Sequence, residues 1–247
     1  MDPFSRRLAS LSASLRTGAA VGAAAAAGDE QQEIVIIVGG GPGISGACAR
    51  LFAEVGMLVA IAQRTPEKPA IKQLIEECPA GRVHAYQCDA SDADSVAALF
   101  EAVQRDHAGH IRCVVYNPSG RARGPVVELD PEEVKQALLV TAYGGFLVGQ
   151  KAAQTMLEHG QGGSILFTGA SASYKGYPNS SSFAMGKFGL TGMAQSMARE
   201  LAPQGIHVAH FPIDGGVGEI DYRCARCAQS ADSPACSCSL RVGCETR

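Results

Sequence analysis

Residues 34–46 read IVIIVGGGPGISG, a run of five apolar residues that ends in a cluster of glycines. A helical pattern follows as far as residue 55, so the segment predicts a strand, a tight turn and a helix. Backbone N–H groups at a helix start are unpaired and lie at the positive end of the helix dipole, which suits a phosphate group. Gly39, Gly43 and Gly46 leave the room that a close approach to the backbone requires. The stretch therefore predicts the first unit of a dinucleotide-binding domain.

The rest of the chain alternates short apolar segments with helical patterns. Ser91 predicts a helix cap, and Asp130 followed by Pro131 predicts a strong helix start. The alternation indicates a single α/β domain with a doubly wound parallel sheet of Rossmann type, covered by helices on both faces. Strands are predicted at 34–38, 58–62, 83–88, 111–116, 164–168 and 206–211, and helices at 66–77, after Ser91, at 131–158 and at 182–201.

Length and charge narrow the classes of function. A chain of 247 residues is long enough for one α/β domain, which we place at residues 29–221. The formal net charge is −3 and the basic residues form no block, so nucleic acid is not expected as the primary partner. No apolar stretch has the length and flanks of a membrane-spanning helix, so no membrane partner is expected either. A small-molecule substrate is the expected partner if the chain is active.

The two ends of the chain differ from its middle. Residues 1–28 contain Arg6, Arg7 and Arg16, many Ser and Ala residues, and one acidic residue. This composition suits either an organelle-targeting segment or a disordered extension. The expected location is therefore cytoplasmic, or mitochondrial or plastid if the segment is a transit peptide.

Residues 222–247 hold five of the nine cysteines, with a spacing unlike common zinc sites and no histidine, so we expect a disordered tail and no metal site.

The glycine turn resembles that of a known family. The short-chain dehydrogenase/reductase family has the turn T-G-x-x-x-G-x-G, in which Gly39 and Gly43 match the first two glycines and Ser45 replaces the third. From about residue 33 to residue 217 the chain resembles this family. The resemblance implies oxidoreductase activity on a small carbonyl or alcohol. It also implies a dinucleotide held at Gly39, Gly43, Ile44 and Ser45, with the Ser45 hydroxyl able to touch phosphate.

The segment after the second strand bears on the choice of nucleotide. An acid at this place would bind the ribose hydroxyls of NAD, but residues 62–65 read AQRT. Arg64 and Thr65 can instead bind a 2′-phosphate, which favours NADP over NAD, unless Arg64 is only a solvated loop charge. Asp89 matches the Asp that contacts adenine in the family, although it also suits a turn cap. Asn117 matches the family's N-N-A-G motif beside the adenosine ribose.

The catalytic positions of the family are only partly present. The family uses a tyrosine as proton donor, a lysine one helical turn later, a serine and an asparagine. Here the tyrosine position is Phe183, whereas Lys187 is retained. The serine position is Ala170 in an ungapped alignment and Ser171 after a shift of one residue, and the asparagine position is Thr141. The resemblance therefore implies catalytic positions at Lys187, Ser171 and Thr141, and binding of the nicotinamide ribose by Lys187.

Two classes of function stay open on these residues. One is an NADP-dependent oxidoreductase with an impaired or atypical site. The other is a non-catalytic nucleotide-binding or structural subunit with the same fold, because Phe183 has no proton to give. The family resemblance also implies a homodimer through the helices at 131–158 and 182–201. The family continues with a seventh strand, but here the resemblance stops at about Tyr222, so we expect that last strand to be missing.

Overall fold

The computed structural model describes residues 32–215, which form one sheet of six parallel strands with helices on both faces. The order of the strands is β3-β2-β1-β4-β5-β6, with every neighbouring pair parallel. The predicted α/β class and doubly wound parallel sheet are confirmed. The strands are β1 (Glu33–Val38), β2 (Leu58–Gln63), β3 (Val83–Gln87), β4 (His110–Tyr116), β5 (Gly163–Ala170) and β6 (Ile206–Ile213).

Six α-helices connect these strands. The segment Leu139–Tyr143 between the fourth and fifth helices is a π-helix, and single 3₁₀ turns occur at Ser171–Ser173 and Ala202–Gln204. The α-helices are α1 (Ile44–Glu54), α2 (Pro69–Glu77), α3 (Ala93–Asp106), α4 (Pro131–Leu138), α5 (Gly144–His159) and α6 (Ser181–Leu201). No helix of the described part is long and apolar enough to cross a membrane.

The two faces of the sheet carry separate hydrophobic cores. Residues alternate along β1, so that Ile34 and Ile36 pack with one cluster and Val35 and Ile37 with the other. The first cluster includes residues of α3, α5 and α6, and the second includes residues of α1 and α2. Because both faces are covered, the central strands need apolar residues at every position. This explains the uninterrupted apolar run from which the strand was predicted.

Two helix starts differ from the prediction. The cap of α3 is Asp92, whose side chain accepts a 3.0 Å bond from the backbone of Asp94, so the prediction that Ser91 caps this helix was wrong. The Ser91 hydroxyl instead donates to Oδ1 of Asp89 over 2.7 Å. Helix α2 begins at Pro69 and not at residue 66, because Pro69 lacks the N–H that would continue a helix begun at residue 66 and suits the first helical position instead.

The helix predicted at 131–158 is confirmed at its start, where the Asp130 side chain accepts from the backbone of Glu132. Its middle contains the π segment, in which the carbonyl of Val140 accepts a hydrogen bond from the Tyr116 hydroxyl. The interpretations placed on residues 1–28 and 222–247, the outer limits of the 29–221 domain and the missing seventh strand lie outside the described residues.

Candidate functional site

The candidate site lies at the carboxyl ends of the neighbouring strands β1, β4 and β5, which share one edge of the sheet. The chain leaves β1 towards β2 on one side, whereas β4 lies on the other side, so the direction of winding reverses beside β1. Ligands of doubly wound sheets bind at such a reversal. A cavity of about 240 Å³ opens here. Its walls include Ile44, Asn117, Ala170, Phe183 and Lys187.

The glycine turn after β1 has a backbone that a side chain would obstruct. Gly39 has a φ of +89°, and a methyl group on it would lie 2.8 Å from the ring nitrogen of Pro118. The N–H groups of Gly39 and Gly40 both donate to the carbonyl of Ala62, at 2.9 and 3.0 Å, which ties the turn to β2. Helix α1 then begins after Gly43, which has no side chain to cap it. The first N–H groups of α1 therefore remain available to an anion.

Ser45 lies beneath this turn and not on its surface. Its side chain is fully buried, and its hydroxyl donates to the carbonyl of Gly39 over 2.8 Å. The same hydroxyl accepts a 2.9 Å hydrogen bond from the side-chain amide of Asn117. Ser45 thus supports the turn from inside, and its hydroxyl makes both of these hydrogen bonds within the protein.

Hydrogen bonds continue from Asn117 to the retained lysine. The Thr168 hydroxyl donates to Oδ1 of Asn117 over 2.8 Å, and Nζ of Lys187 donates to the carbonyl of Thr168 over 2.8 Å. Gly39, Ser45, Asn117, Thr168 and Lys187 therefore form one chain of contacts, called here the site chain. The sequence analysis missed Thr168, and the only signal for it was a hydroxyl residue at the carboxyl end of the fifth predicted strand.

The residues predicted to select the nucleotide lie at the next two strand ends. Arg64 and Thr65 are exposed directly after β2, and Asp89 follows β3. Hydrogen bonds from the hydroxyl and the backbone of Ser91 lower the pKa of Asp89, and the charge of Arg64 lowers it further. Asp89 is thus a turn cap, as one of the two interpretations proposed. It also lies close enough to Arg64 for the two charges to attract each other. The buried Nε2 of Gln63 has no hydrogen-bond partner within residues 32–215.

Phe183 and Lys187 lie together on the cavity wall. Nζ of Lys187 is 5.9 Å from the centre of the Phe183 ring, and the guanidinium of Arg121 is 4.6 Å from the same centre. Both distances suit a cation–π contact. Lys187 is 3% exposed, and this burial lowers its pKa to about 8. Burial has this effect because the charged form loses its hydration.

Of the two candidates for the serine position, the structure places Ala170 on the cavity wall. Ser171 opens the following 3₁₀ turn, and a hydrogen bond from it lowers the pKa of the exposed Tyr177. The geometry therefore favours the ungapped alignment. With Ala170 facing the cavity, the wall has no hydroxyl at the place where the family's serine orients the substrate.

Thr141 does not reach the cavity either. It is fully buried in the π segment, and its hydroxyl accepts a 2.8 Å hydrogen bond from the backbone of Gly120. A methyl group on Gly186 would lie 2.8 Å from Cβ of Thr141, so α6 packs closely on this residue. Thr141 thus joins the loop after β4 to α6, which is a structural contact.

The sequence analysis also missed His210, which lies on β6 close enough to Lys187 to feel its charge. Its Nε2 is 3.4 Å from the hydroxyls of both Ser173 and Thr191. Burial lowers the pKa of His210, and the positive charge of Lys187 lowers it further. A side chain on Gly169 would collide with the His210 ring, so the glycine next to Thr168 makes room for it. A single histidine in an apolar strand gave no signal in the sequence.

Comparisons with known proteins agree with this architecture. A sequence model of the family described as short chain dehydrogenase matches residues 33–212. The 3-oxoacyl-(acyl-carrier-protein) reductase MabA of Mycobacterium tuberculosis is 31% identical over 150 residues, which are 60% of this chain and 60% of that protein. The human 3-oxoacyl-(acyl-carrier-protein) reductase is 31% identical over 169 residues, covering 67% of this chain and 68% of the human protein.

Among solved structures, a short-chain dehydrogenase from Rhodopseudomonas palustris is similar, with a TM-score of 0.66 and 34% identity. The match covers 72% of this chain and 82% of that one. Against the mycobacterial reductase the chain spans 60% of the relative's length. The family match begins with β1 and ends within β6, across the whole described sheet. The chain belongs to the short-chain dehydrogenase/reductase family.

Proposed function

We propose that this chain binds NADP(H) at the carboxyl edge of the sheet and that its oxidoreductase activity on a small carbonyl or alcohol is impaired. The family uses NAD or NADP. The observation that carries the proposal is the pair Phe183 and Lys187 on the cavity wall. The lysine that binds the nicotinamide ribose in the family is retained, whereas the proton donor beside it is replaced by a hydrocarbon ring.

The residues of the edge fit a dinucleotide. Gly39 leaves room for the pyrophosphate to approach the backbone, which a side chain would block. The start of α1 offers uncapped N–H groups to the same pyrophosphate. Arg64 is exposed at the end of β2 and can pair with a 2′-phosphate, which supports NADP over NAD.

Reduction of a carbonyl needs a hydride and a proton. The nicotinamide supplies the hydride when the cofactor is bound. The proton has to reach the substrate oxygen from a positioned donor, and a good donor contributes roughly 10²–10⁴-fold to the rate. Phe183 has none, Ala170 offers no hydroxyl, and Thr141 is engaged with Gly120. Lys187 is the remaining titratable side chain on the wall, so slow turnover is expected.

A second candidate function is a non-catalytic nucleotide-binding or structural subunit. Phe183, Ala170 and Thr141 also favour this alternative, since the cavity wall lacks the tyrosine that donates a proton in the family and lacks the family's serine hydroxyl. Under this alternative the cofactor would bind and no substrate would be reduced.

We also propose that two copies pair through α4–α5 and α6. Exposed apolar side chains on these elements include Tyr143, Phe146, Met185 and Phe188, which are 42–53% exposed. Such side chains on two neighbouring helices suit an interface with a second copy of the chain.

Fluorescence titration with NADPH and NADH, followed by a screen of small ketones and aldehydes, tests the proposal. We expect NADPH to bind more tightly than NADH, and Phe183→Tyr to raise turnover at least tenfold over the native chain. Phe183→Leu is the matched control, because it changes the ring without adding a donor. Turnover by the native chain at ordinary enzyme rates would exclude an impaired site. Binding of neither nucleotide would exclude the oxidoreductase and the nucleotide-binding form of the second candidate.

A further inference from the structure

We infer that Lys187 is a carbonyl-reactive amine, which condenses with small aldehydes to form an imine when no nucleotide covers it. The cavity would then capture an aldehyde covalently and reversibly. This activity goes beyond the proposed function and does not require hydride transfer.

The first support is the position of the amine. Lys187 lines a cavity of about 240 Å³, large enough for a short aliphatic aldehyde. Ile44, Ala170, Phe183 and Ile213 give part of this cavity an apolar lining, which suits a short alkyl chain, whereas Asn117, Ser119 and Thr168 line it with polar side chains. A carbonyl carbon can thus lie beside Nζ while its chain packs on hydrocarbon.

The second support is the absence of a carboxylate that would hold the amine as an ammonium, within the part of the chain that the structure describes. Within residues 32–215 no carboxylate lies at ion-pair distance from Lys187. The charged and titratable groups near it are Arg121, which shares the Phe183 ring, and His210 on β6. Phe183 has no hydroxyl to bind the ammonium. None of these groups is an anion, so the loss of hydration on burial, which favours the neutral and nucleophilic amine, is opposed by the cation–π contact with Phe183 and not by an ion pair.

The third support is the single contact that Nζ makes. It donates one hydrogen bond, 2.8 Å long, to the backbone carbonyl of Thr168. Thr168 in turn is held by Asn117, which limits the freedom of this end of the lysine. A neutral amine held through one N–H keeps its lone pair for an electrophile.

Burial strengthens the argument, since it lowers the pKa of Lys187 to about 8. At pH 7 roughly a tenth of such a side chain is neutral, compared with well under a thousandth of an exposed lysine. The neutral fraction therefore favours Lys187 over surface lysines by about two orders of magnitude, before the smaller loss of intrinsic nucleophilicity.

The reaction balances without an oxidant or a reductant. The lone pair of Nζ attacks the aldehyde carbon, a C–N bond forms, and the electrons of the C=O π bond move to oxygen. The oxygen then leaves as water with the two protons of the amine, and the C=N double bond remains. Water reverses the reaction, so capture is an equilibrium.

Reductive trapping of the full chain with propanal and sodium cyanoborohydride tests this inference. The hydride reagent converts the imine to a stable propyl amine, which peptide mass spectrometry can locate. At pH 7 we expect Lys187 to be propylated at least tenfold faster than the exposed Lys72 and Lys135. Propylation of Lys187 at the same rate as these surface lysines, or slower, would overturn the inference. The comparison is made within the native chain and needs no variant to fold.

Two further measurements separate this inference from the proposed function. Lys187→Arg keeps the charge and should abolish the fast adduct, whereas Lys72→Arg should leave it unchanged. NADPH should protect Lys187, because the proposed cofactor site covers it. A fast adduct without protection would support the inference and count against the nucleotide site. Protection of Lys187 from an adduct that forms no faster than on the surface would overturn the inference alone.

Discussion

Nζ of Lys187 donates a 2.8 Å hydrogen bond to the backbone carbonyl of Thr168, and this bond is the last link between the glycine turn and α6. The link joins the two halves of the site, since the turn follows β1 and the lysine lies on a helix that follows β5. A change at any member of the site chain should therefore affect both the phosphate turn and the cavity wall.

The buried lysine should make stability depend on pH. The pKa of Lys187 is about 8 in the fold and near 10.5 when unfolded, so between these values the unfolded chain binds more protons. Stability therefore rises with pH across this window, and burying the charge costs about 3 kcal/mol below it. Lys187→Met removes this cost and loses the bond to Thr168, worth about 1 kcal/mol.

We accordingly expect Lys187→Met to be about 2 kcal/mol more stable than the native chain at pH 7. The advantage should vanish and reverse by pH 10.5. Chemical denaturation of both proteins at pH 7, 8.5 and 10 measures the difference in their free energies of unfolding. Groups other than Lys187 titrate alike in the two proteins, so their contributions cancel in this difference. A difference that does not change with pH would contradict an unusual pKa for Lys187.

Asn117 should be a positioning residue for the turn. Asn117→Ala leaves the buried Ser45 hydroxyl without its donor and the Thr168 hydroxyl without its closest acceptor. We expect a loss of about 2 kcal/mol in the free energy of unfolding, because two buried hydrogen bonds are lost. Gln136→Ala is the matched control. It removes an exposed hydrogen bond from the side-chain amide of Gln136 to Glu132, and the loss should cost under about 0.5 kcal/mol. Equal losses in the two variants would rule out a special role for the site chain.

Gly39 should tolerate no side chain. In Gly39→Ala the methyl group meets Pro118 at 2.8 Å and the backbone keeps a φ of +89°. We expect a destabilisation of about 1–3 kcal/mol, measured by thermal and chemical unfolding. Gly41→Ala is the control, because nothing lies within 4 Å of the added carbon and its φ is outside the left-handed region. A Gly39 variant as stable as the Gly41 variant would show that the turn can relax.

The sheet was predictable because its strands are buried on both faces. Residues 34–38 are all at most 1% exposed, so burial alone requires an apolar run that is visible in the sequence. The helix caps were harder to predict. Ser91 and Asp92 are both good cap residues, and the choice between them depends on Asp89, which engages Ser91. The π segment was not predictable, because the contact of Tyr116 with Val140 comes from a distant strand.

Of the predicted catalytic positions, Lys187 lines the cavity, whereas Ser171 and Thr141 do not, and the contacts among the site residues were not predictable. The retained Lys187 and the substituted Phe183 followed from the resemblance to the family's Y-x-x-x-K pair, and both line the cavity. The bonds that join Ser45 to Asn117 and Asn117 to Thr168 span 72 and 51 residues of sequence, and no local pattern encodes such pairs. For the same reason the sequence did not show that the Ser45 hydroxyl points inward.

Arg64 should decide between the two nucleotides. Because the side chain is exposed, Arg64→Ala should leave stability unchanged. It should weaken NADPH binding about tenfold and NADH binding little, since a charge-assisted bond to the 2′-phosphate is lost. Arg105→Ala is the control, because that arginine lies at the far end of α3 and pairs with Asp106. Fluorescence titration gives both affinities, and an equal loss for the two nucleotides would contradict selection by Arg64.

The proposed dimer should depend on the exposed apolar side chains of α6. Met185 and Phe188 are one helical turn apart and 53% and 47% exposed, so they share a face that a second copy could cover. Phe188→Glu buries a charge in that contact, and we expect it to shift sedimentation from dimer to monomer. Val127→Glu is the control, because Val127 is more exposed at 88% but lies in the loop before α4. A native chain that sediments as a monomer, or a dimer that Phe188→Glu leaves intact, would place any interface elsewhere.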